Sequence, residues 1–387
     1  MTKISKLLAL TSPIALTLAS CAPVQDVDAA QADASSGSDG EMTVAEHGTF
    51  EKGWALAFVP GTDMLAVTQK SGEMFVQNTA NKERMTVSGL PEVDFGGQGG
   101  LGDVAFLESE SADGVGSRTI YMSWVEAGTG GNRGAVVGKG RLNCSNACAV
   151  SDMAIIWRQA PKTGKRGHYS HRLLISPDEQ HLYIASGDRQ ELEPAQDTTN
   201  NLGTIVRLNM DGSSASGNPM EGDNDPAHEI WSWGHRNILG MDWDASGQLW
   251  EIEHGPAGGD ELNLVKRAAN YGWPTRSNGD HYSGKDIPDH TADDGFTKPV
   301  MDWTPVIAPG DMMVYRGDMF AAWKGDALVA GLGSKSLVHV DLDGTKASER
   351  ARIKLNGNRL RAVTEGPDGA IWVLEDGDGG NLLKLSM

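Results

Sequence analysis

Three of the chain's ten histidines, His168, His171 and His181, fall within GHYSHRLLISPDEQHLYIASGD, residues 167 to 188. Imidazole titrates nearest to neutral pH and can take a proton from a hydroxyl, so any of them could serve as a general base. The same stretch would also suit three polar residues beside a hairpin, and His181, after DEQ, belongs to the turn and reads as solvated. Arg359 and Arg361 are the second candidate group. One residue apart on a strand, they share a face and could grip carboxylates through paired guanidinium hydrogen bonds; an exposed basic strand has the same pattern. The run HGPAGGDE, from His254, taken alone is a glycine-rich turn.

These residues are far apart in sequence, so the fold has to gather them. The chain has 387 residues with 39% hydrophobic content, enough for a sizeable core, and its 49 glycines and 16 prolines punctuate it densely. Helical periodicity is scarce from residue 50 onward. A turn followed by a short alternating strand recurs instead: PGTDMLAVT from Pro60, ADGVGSRTIYMSW from Ala112, SPDEQHLYIASGD from Ser176, DASGQLWEIEHG from Asp244, KGDALVAGLG from Lys324 and GPDGAIWVLEDG from Gly366. A four-stranded propeller blade needs about 40 to 55 residues, so this spacing predicts an all-β, six-bladed β-propeller. Too few residues follow the last copy to finish a blade, so FEKGWALAF, from Phe50, is expected to pair with C-terminal strands and close the ring. Ligands of such a ring sit at the channel mouth, where loops from several blades meet.

The N-terminus reads as an address. Lys3 and Lys6 precede a short apolar run broken by Pro13 and ending in LASC, which looks like a bacterial lipoprotein signal over residues 1–20 with Cys21 as the acylated residue. An ordinary secretory signal with an incidental cysteine is the other reading, and both imply export. Ala22 after the cysteine points to the periplasmic face of the outer membrane. Residues 21–48 carry acids among Ala, Ser and Gly and read as a flexible tether, leaving 49–387 as the folded domain. The net charge of −19 argues against nucleic acid and against electrostatic membrane binding. Cys144 and Cys148 are expected to form a local disulfide in an oxidising compartment, a free thiol being the alternative.

The run EIWSWGHRNILGMDWDASGQLWEIEHGPAGGDELNLVKRAANYGWP, Glu229 to Pro274, resembles the pyrroloquinoline quinone (PQQ) dependent aldose sugar dehydrogenases of the glucose/sorbosone dehydrogenase family, which are six-bladed propellers. Further blocks in family order carry the likeness across most of residues 50 to 387: GGQGGLGDVAF, HYSHRLLISPD, AQDTTNNLGTIVRLNMDG, HYSG, WTPVIAPGDMMVYRGD, GLGSKS and NRLRAVTEGPDG.

The resemblance implies roles. His168 begins the family's H-x-G-G-R-L pattern and would be the base that takes the anomeric proton as hydride leaves C1 for PQQ, giving a lactone, with His171 in reserve. Ser170 and His171 stand where that pattern has glycines, which leaves sugar preference open. Asp188 matches an acid near the base, although a turn-capping aspartate would look alike. Lys335, Arg359 and Arg361 match cations for the three carboxylates of PQQ; Arg236 and Asn237 match a pair at the quinone oxygens, Arg236 stabilising developing charge; Gln98 and Tyr282 match further cofactor contacts. The carbonyls of Gly255 and Pro256 would hold a Ca²⁺ that also binds PQQ, and Glu261 with the Tyr271 carbonyl resembles a second, structural calcium site. The implied partners are an aldose, an external electron acceptor and, through lipidated Cys21, a membrane. Two alternatives are a calcium-dependent propeller lactonase, whose central metal takes side-chain carboxylates and Asn, and a non-catalytic sugar-binding propeller.

Overall fold

In the computed structural model, residues 41–223 and 226–387 are described, together with the backbone of 26–28. The expected signal, residues 1–20, Cys21 and most of the tether lie outside the described residues. The strands form sheets arranged as a six-bladed β-propeller. Its innermost strands are Gly53–Phe58, Leu101–Phe106, Ser170–Ile175, Ile238–Trp243, Pro309–Val314 and Leu360–Glu365. Each packs on the next, and the last returns to the first, which closes the ring around the axis.

All six sequence repeats mark one place, the turn from a blade's innermost strand to its second strand. Blade 4 shows why the turn needs its residues: Asp244 Oδ1 accepts from the Ser246 and Gln248 amides at 2.8 and 2.9 Å, and its Oδ2 accepts Trp250 Nε1 at 3.0 Å. Gly247 takes φ +80° there, a left-handed conformation that costs glycine least. The second strands that follow are buried on both faces, as in Leu249–Glu253, Ala327–Gly331 and Ile371–Glu375, because neighbouring blades cover each side. Trp250, Ile252 and Leu262 of blade 4, for example, pack on Met312, Val329 and Val338 of blade 5.

Ring closure differs from expectation. FEKGWALAF is divided between two blades by a turn at Glu51 and Lys52. The closing strand lies upstream, Thr43–Phe50, and pairs antiparallel with Gly380–Ser386, whereas Gly53–Phe58 opens blade 1. The folded domain therefore reaches back into the expected tether. Thr43–Phe50 has the composition of a linker because, as the outermost strand, it is polar and mostly exposed. Asp26–Asp28, also in that tether, pairs parallel with Arg352–Lys354 at the edge of blade 5. Blades 1 and 2 merge into one eight-stranded sheet where Arg84–Ser88 meets Cys148–Arg158. Cys144 and Cys148 form the expected disulfide at the tip of blade 2's outer hairpin.

A buried guanidinium occupies the axis. Arg172 Nε donates to Leu239 O at 2.5 Å and Nη2 to Gly310 O at 2.7 Å, its Nη1 lies 3.4 Å from Asp103, and its carbon stands 4.0 Å from the Trp54 ring. Asp311 lies 3.5 Å from the same guanidinium and accepts the Val363 amide at 3.2 Å. One arginine thus faces two buried aspartates. Burial, against the pull of Arg172, lifts Asp311 to about 7, and Asp103 is also raised. A carboxyl whose folded pKa is raised favours the fold at low pH and loses that contribution as pH climbs from about 4 through 7. Asp311→Asn should therefore gain thermal stability relative to the parent between pH 4 and 8. A difference in melting temperature that stays flat over that range, measured by circular dichroism, would count against this charge balance.

Candidate functional site

Loops and strand ends at one mouth of the ring bring together residues from all six blades. His168 precedes the innermost strand of blade 3, and its Nδ1 lies 2.7 Å from Asp188 Oδ1, a fully buried carboxylate. The His168 amide donates to Gln98 Oε1 at 2.6 Å, and Gln98 N donates to Arg166 O at 2.9 Å, so the loops of blades 2 and 3 are stitched together. Close passage of the Arg166 backbone leaves no room for a Cβ on Gly97, which explains the glycines before Gln98. Burial pushes the His168 imidazole below its ordinary value of 6.5, with Asp188 opposing and Arg236 and Arg189 reinforcing. The ring is neutral at pH 7. With Nδ1–H donated to Asp188, the Nε2 lone pair is left for a proton.

His168, Ser170 and His171 have φ values of +48°, +56° and +49°. Ser170 and His171 thus keep, with side chains, the left-handed backbone that suits the glycines of the family pattern, at about 1 kcal/mol each. The His171 ring stands over Gly102, stacks on Trp54 at 4.8 Å and lies 2.9 Å from Ser123 Oγ through Nδ1. Ser123 spends its only hydrogen on His171 O, so Nδ1 carries the proton. Burial, then Arg172, hold this imidazole down to about 3. His171 builds the floor; His168, not His171, has the acid partner. His181 lies at a hairpin, half-buried, 2.9 Å from Arg207.

A cleft of about 190 Å³ opens above that floor, lined by Trp54, Lys70, Gln98, Asn237, Arg359 and Arg361 among others. Arg359 and Arg361 do share a face, and both hold Asp376, at 2.9 Å from each. Their guanidinium groups are therefore partly committed to a carboxylate that lies 15 or more residues away in the chain and carries no motif linking it to them. Lys70 joins them unanticipated, its ammonium lowered by burial and then by Arg361 and bonded to Gly97 O at 2.9 Å. Lys335 is exposed, at φ +54°, on the loop that sends Leu332 into the cleft, and is not itself part of the lining. Asn237 accepts from Ser170 Oγ at 3.3 Å.

Arg236 stands beside a second, narrow void lined also by Gly255, Glu261, Tyr271 and Trp273. It donates to His254 O at 3.0 Å and reaches the hydroxyl of Tyr282, a highly exposed residue, at 3.4 Å; its buried Nε has no partner among the described residues. The Gly255 and Pro256 carbonyls accept no hydrogen bond among the described residues, which leaves hard oxygen donors free for a cation. The two expected calcium loci meet here, since Gly255, Glu261 and Tyr271 border the same void. Pro256 lies next to it in sequence.

Sequence reasoning missed what surrounds Glu261. Glu251, Glu253, Glu261 and Asn263 share one face of paired strands in blade 4, and His235 sits 3.4 Å from Glu251 and 3.3 Å from Glu253, its ring stacked on Tyr271 at 4.5 Å. Burial, then Glu253, raise both Glu251, to about 8, and Glu261; Glu251 Oε2 and Asn263 Oδ1 are buried acceptors without donors among the described residues. Hard, surplus oxygen donors of this kind suit a calcium ion. Glu253 has a further use: its Oε2 accepts the Arg236 and Asn237 amides at 2.5 and 3.1 Å, fixing the pair. The i, i+2 spacing of the two glutamates on a strand was the available signal.

A profile of the family described as Glucose / Sorbosone dehydrogenase matches residues 50–384. The chain is 36% identical over 337 residues to the aldose sugar dehydrogenase YliI of Escherichia coli K12, which spans 86% of this chain and 89% of that protein. It is 28% identical over 294 residues to quinoprotein glucose dehydrogenase B of Acinetobacter calcoaceticus, 57% of this chain and 61% of that one. A crystal structure of the soluble aldose sugar dehydrogenase from E. coli in the apo-form superimposes with a TM-score of 0.82 at 34% identity, covering 89% of this chain and 99% of that one.

The floor makes a mutational contrast. Ser170→Gly should change stability by less than about 1 kcal/mol, because relief of a left-handed serine offsets one weak hydrogen bond. His171→Gly should lose about 1–3 kcal/mol, because the buried ring outweighs the relieved strain. Urea denaturation of both variants checks this, and a stabilised His171→Gly would contradict it.

Proposed function

This chain belongs to the glucose/sorbosone dehydrogenase family, an oxidoreductase family, and we propose that it oxidises aldose sugars at C1 to the lactone using PQQ and calcium, with electrons passing to an external acceptor. The observation that carries the reading is the His168–Asp188 pair at 2.7 Å, tied through Gln98 to a cleft that Lys70, Arg359 and Arg361 also line. When bound, the quinone would supply the hydride acceptor and the calcium a Lewis acid for its reactive carbonyl.

The chain's own residues do the rest. Asp188 accepts a hydrogen bond from Nδ1–H of His168 and so leaves Nε2 to accept the anomeric hydroxyl proton; the buried carboxylate also stabilises the imidazolium that results. Arg236 offers a fixed positive charge, with a free buried Nε, where negative charge would develop. Arg359, Arg361 and Lys335 would hold carboxylates of the cofactor, with Gln98, Asn237 and Tyr282 as further contacts and Lys70 as an added cation. Gly255 and Pro256 would hold the catalytic calcium through their carbonyls, and Glu261 with the Tyr271 carbonyl a structural one.

The lactonase reading needs central carboxylates free for a metal, whereas the axial Asp103 and Asp311 both face Arg172. A sugar-binding module would not need the acid–base pair. We further place the protein outside the cytoplasm, in the periplasm and held to the outer membrane by lipidated Cys21; the Cys144–Cys148 disulfide fits an oxidising compartment.

Purified protein given PQQ and Ca²⁺ should reduce a dye in the presence of aldoses. His168→Ala should cut kcat by about 100-fold or more while still taking up PQQ. Because the base must be neutral and its pKa is depressed, kcat/KM should be level down to pH 6.5 and fall only below it. An acid limb centred above pH 7, or full activity in the alanine variant, would displace His168; no turnover with any aldose would remove the reading itself.

A further inference from the structure

Asp188 has no exposure and three donors. Its Oδ1 accepts His168 Nδ1–H at 2.7 Å and the Gln190 amide at 2.8 Å. Its Oδ2 accepts the indole Nε1–H of Trp273, also at 2.7 Å and also buried. An indole nitrogen can only donate, so Oδ2 is the acceptor in this contact. Trp273 is not part of the blade that carries Asp188. It comes from the excursion between Asp260–Val265 and Met301–Trp303 of blade 4, and it is pinned at both ends: its amide donates to Gly234 O at 2.9 Å, and its carbonyl accepts Gln196 Nε2 at 2.7 Å. The indole also lies under the Arg236 guanidinium at 5.1 Å.

We propose that Trp273 is a positioning residue for the base: its N–H anchors the second oxygen of Asp188, which in turn fixes the ring orientation and the Nδ1–H tautomer of His168. The inference rests on His168 as the base in the reading above. The indole also tempers the acid. Donation to Oδ2 draws off part of the carboxylate charge, so Asp188 stabilises imidazolium less than an unanchored carboxylate would. The other groups that face His168 are Arg189, Arg236 and His254, all of which oppose its protonation, and the neutral Gln98. Losing the indole N–H should therefore raise the His168 pKa and loosen the ring.

The test is Trp273→Phe, which keeps an aromatic face for Arg236 and removes the donor. Nitrogen-15 NMR of the full chain, with and without PQQ and Ca²⁺, should show the His168 pKa rising by about 0.5–1 unit and the Nδ1–H tautomer less populated. In the loaded enzyme kcat should fall about tenfold with KM for the sugar little changed. Combined with Asp188→Asn, Trp273→Phe should add less than about twofold, since the two act through one bond. If the phenylalanine variant does not fold, benzothienylalanine at this position keeps the bicyclic shape and lacks only the N–H. An unmoved His168 titration, or an equal kcat cost with and without Asp188→Asn, overturns the inference. The titration needs no sugar, so a shift in a protein that oxidises no aldose would uphold the positioning role while the functional reading failed.

Discussion

The Arg172 guanidinium on the axis is the contact on which the remaining geometry depends. From blade 3 it reaches the Leu239 carbonyl of blade 4, Gly310 and Asp311 of blade 5, Asp103 of blade 2 and the Trp54 ring of blade 1, and Asp311 continues the chain to the Val363 amide of blade 6. A buried, fully engaged cation tolerates little displacement, because any shift leaves a charge or a carbonyl without its partner. The residues just before it in sequence are His168, Ser170 and His171. His168 and the floor of the cleft are therefore registered to the ring axis through the backbone, within one strand's length.

Around that hub the chain sorts its charges against its overall balance. The protein carries a net charge of −19, yet the cleft is edged by Lys70, Arg359 and Arg361. Asp376 between the two arginines compensates them without filling the cleft. Beside Arg236, whose amide Glu253 accepts, the opposite arrangement holds: Glu251, Glu253 and Glu261 are buried near His235. A cleft edged by cations and a narrow void bordered by buried carboxylates thus lie side by side, with His254 lining both.

Much of this was legible in the sequence where the cause is local. The six turn-and-strand repeats could be read because a turn such as that at Asp244 is held by bonds to amides two and four residues away, and because a short strand with alternating apolar residues follows each turn. His168 and Asp188 could be named from motif likeness, and the structure brings them together. What could not be read depends on distant segments meeting. The closing strand Thr43–Phe50 has the polar composition of a linker and becomes a strand only because Gly380–Ser386 supplies an edge. Asp376 on the arginines, Lys70 beside the cleft and Trp273 on Asp188 leave no periodic trace at all. Ser170 and His171 looked like departures from a glycine pattern; the positive φ values show that the backbone was kept and the side chains were accommodated.

The central claim is that cations, carbonyls and an acid–base pair from separate blades form one receptor for a tricarboxylated quinone and a calcium ion. Isothermal titration of PQQ into the calcium-loaded protein tests it most directly. The account predicts saturation at one quinone per chain, abolished by a chelator and weakened when Arg361 is replaced. Absence of binding heat with calcium present, or uptake indifferent to both calcium and Arg361, would contradict it.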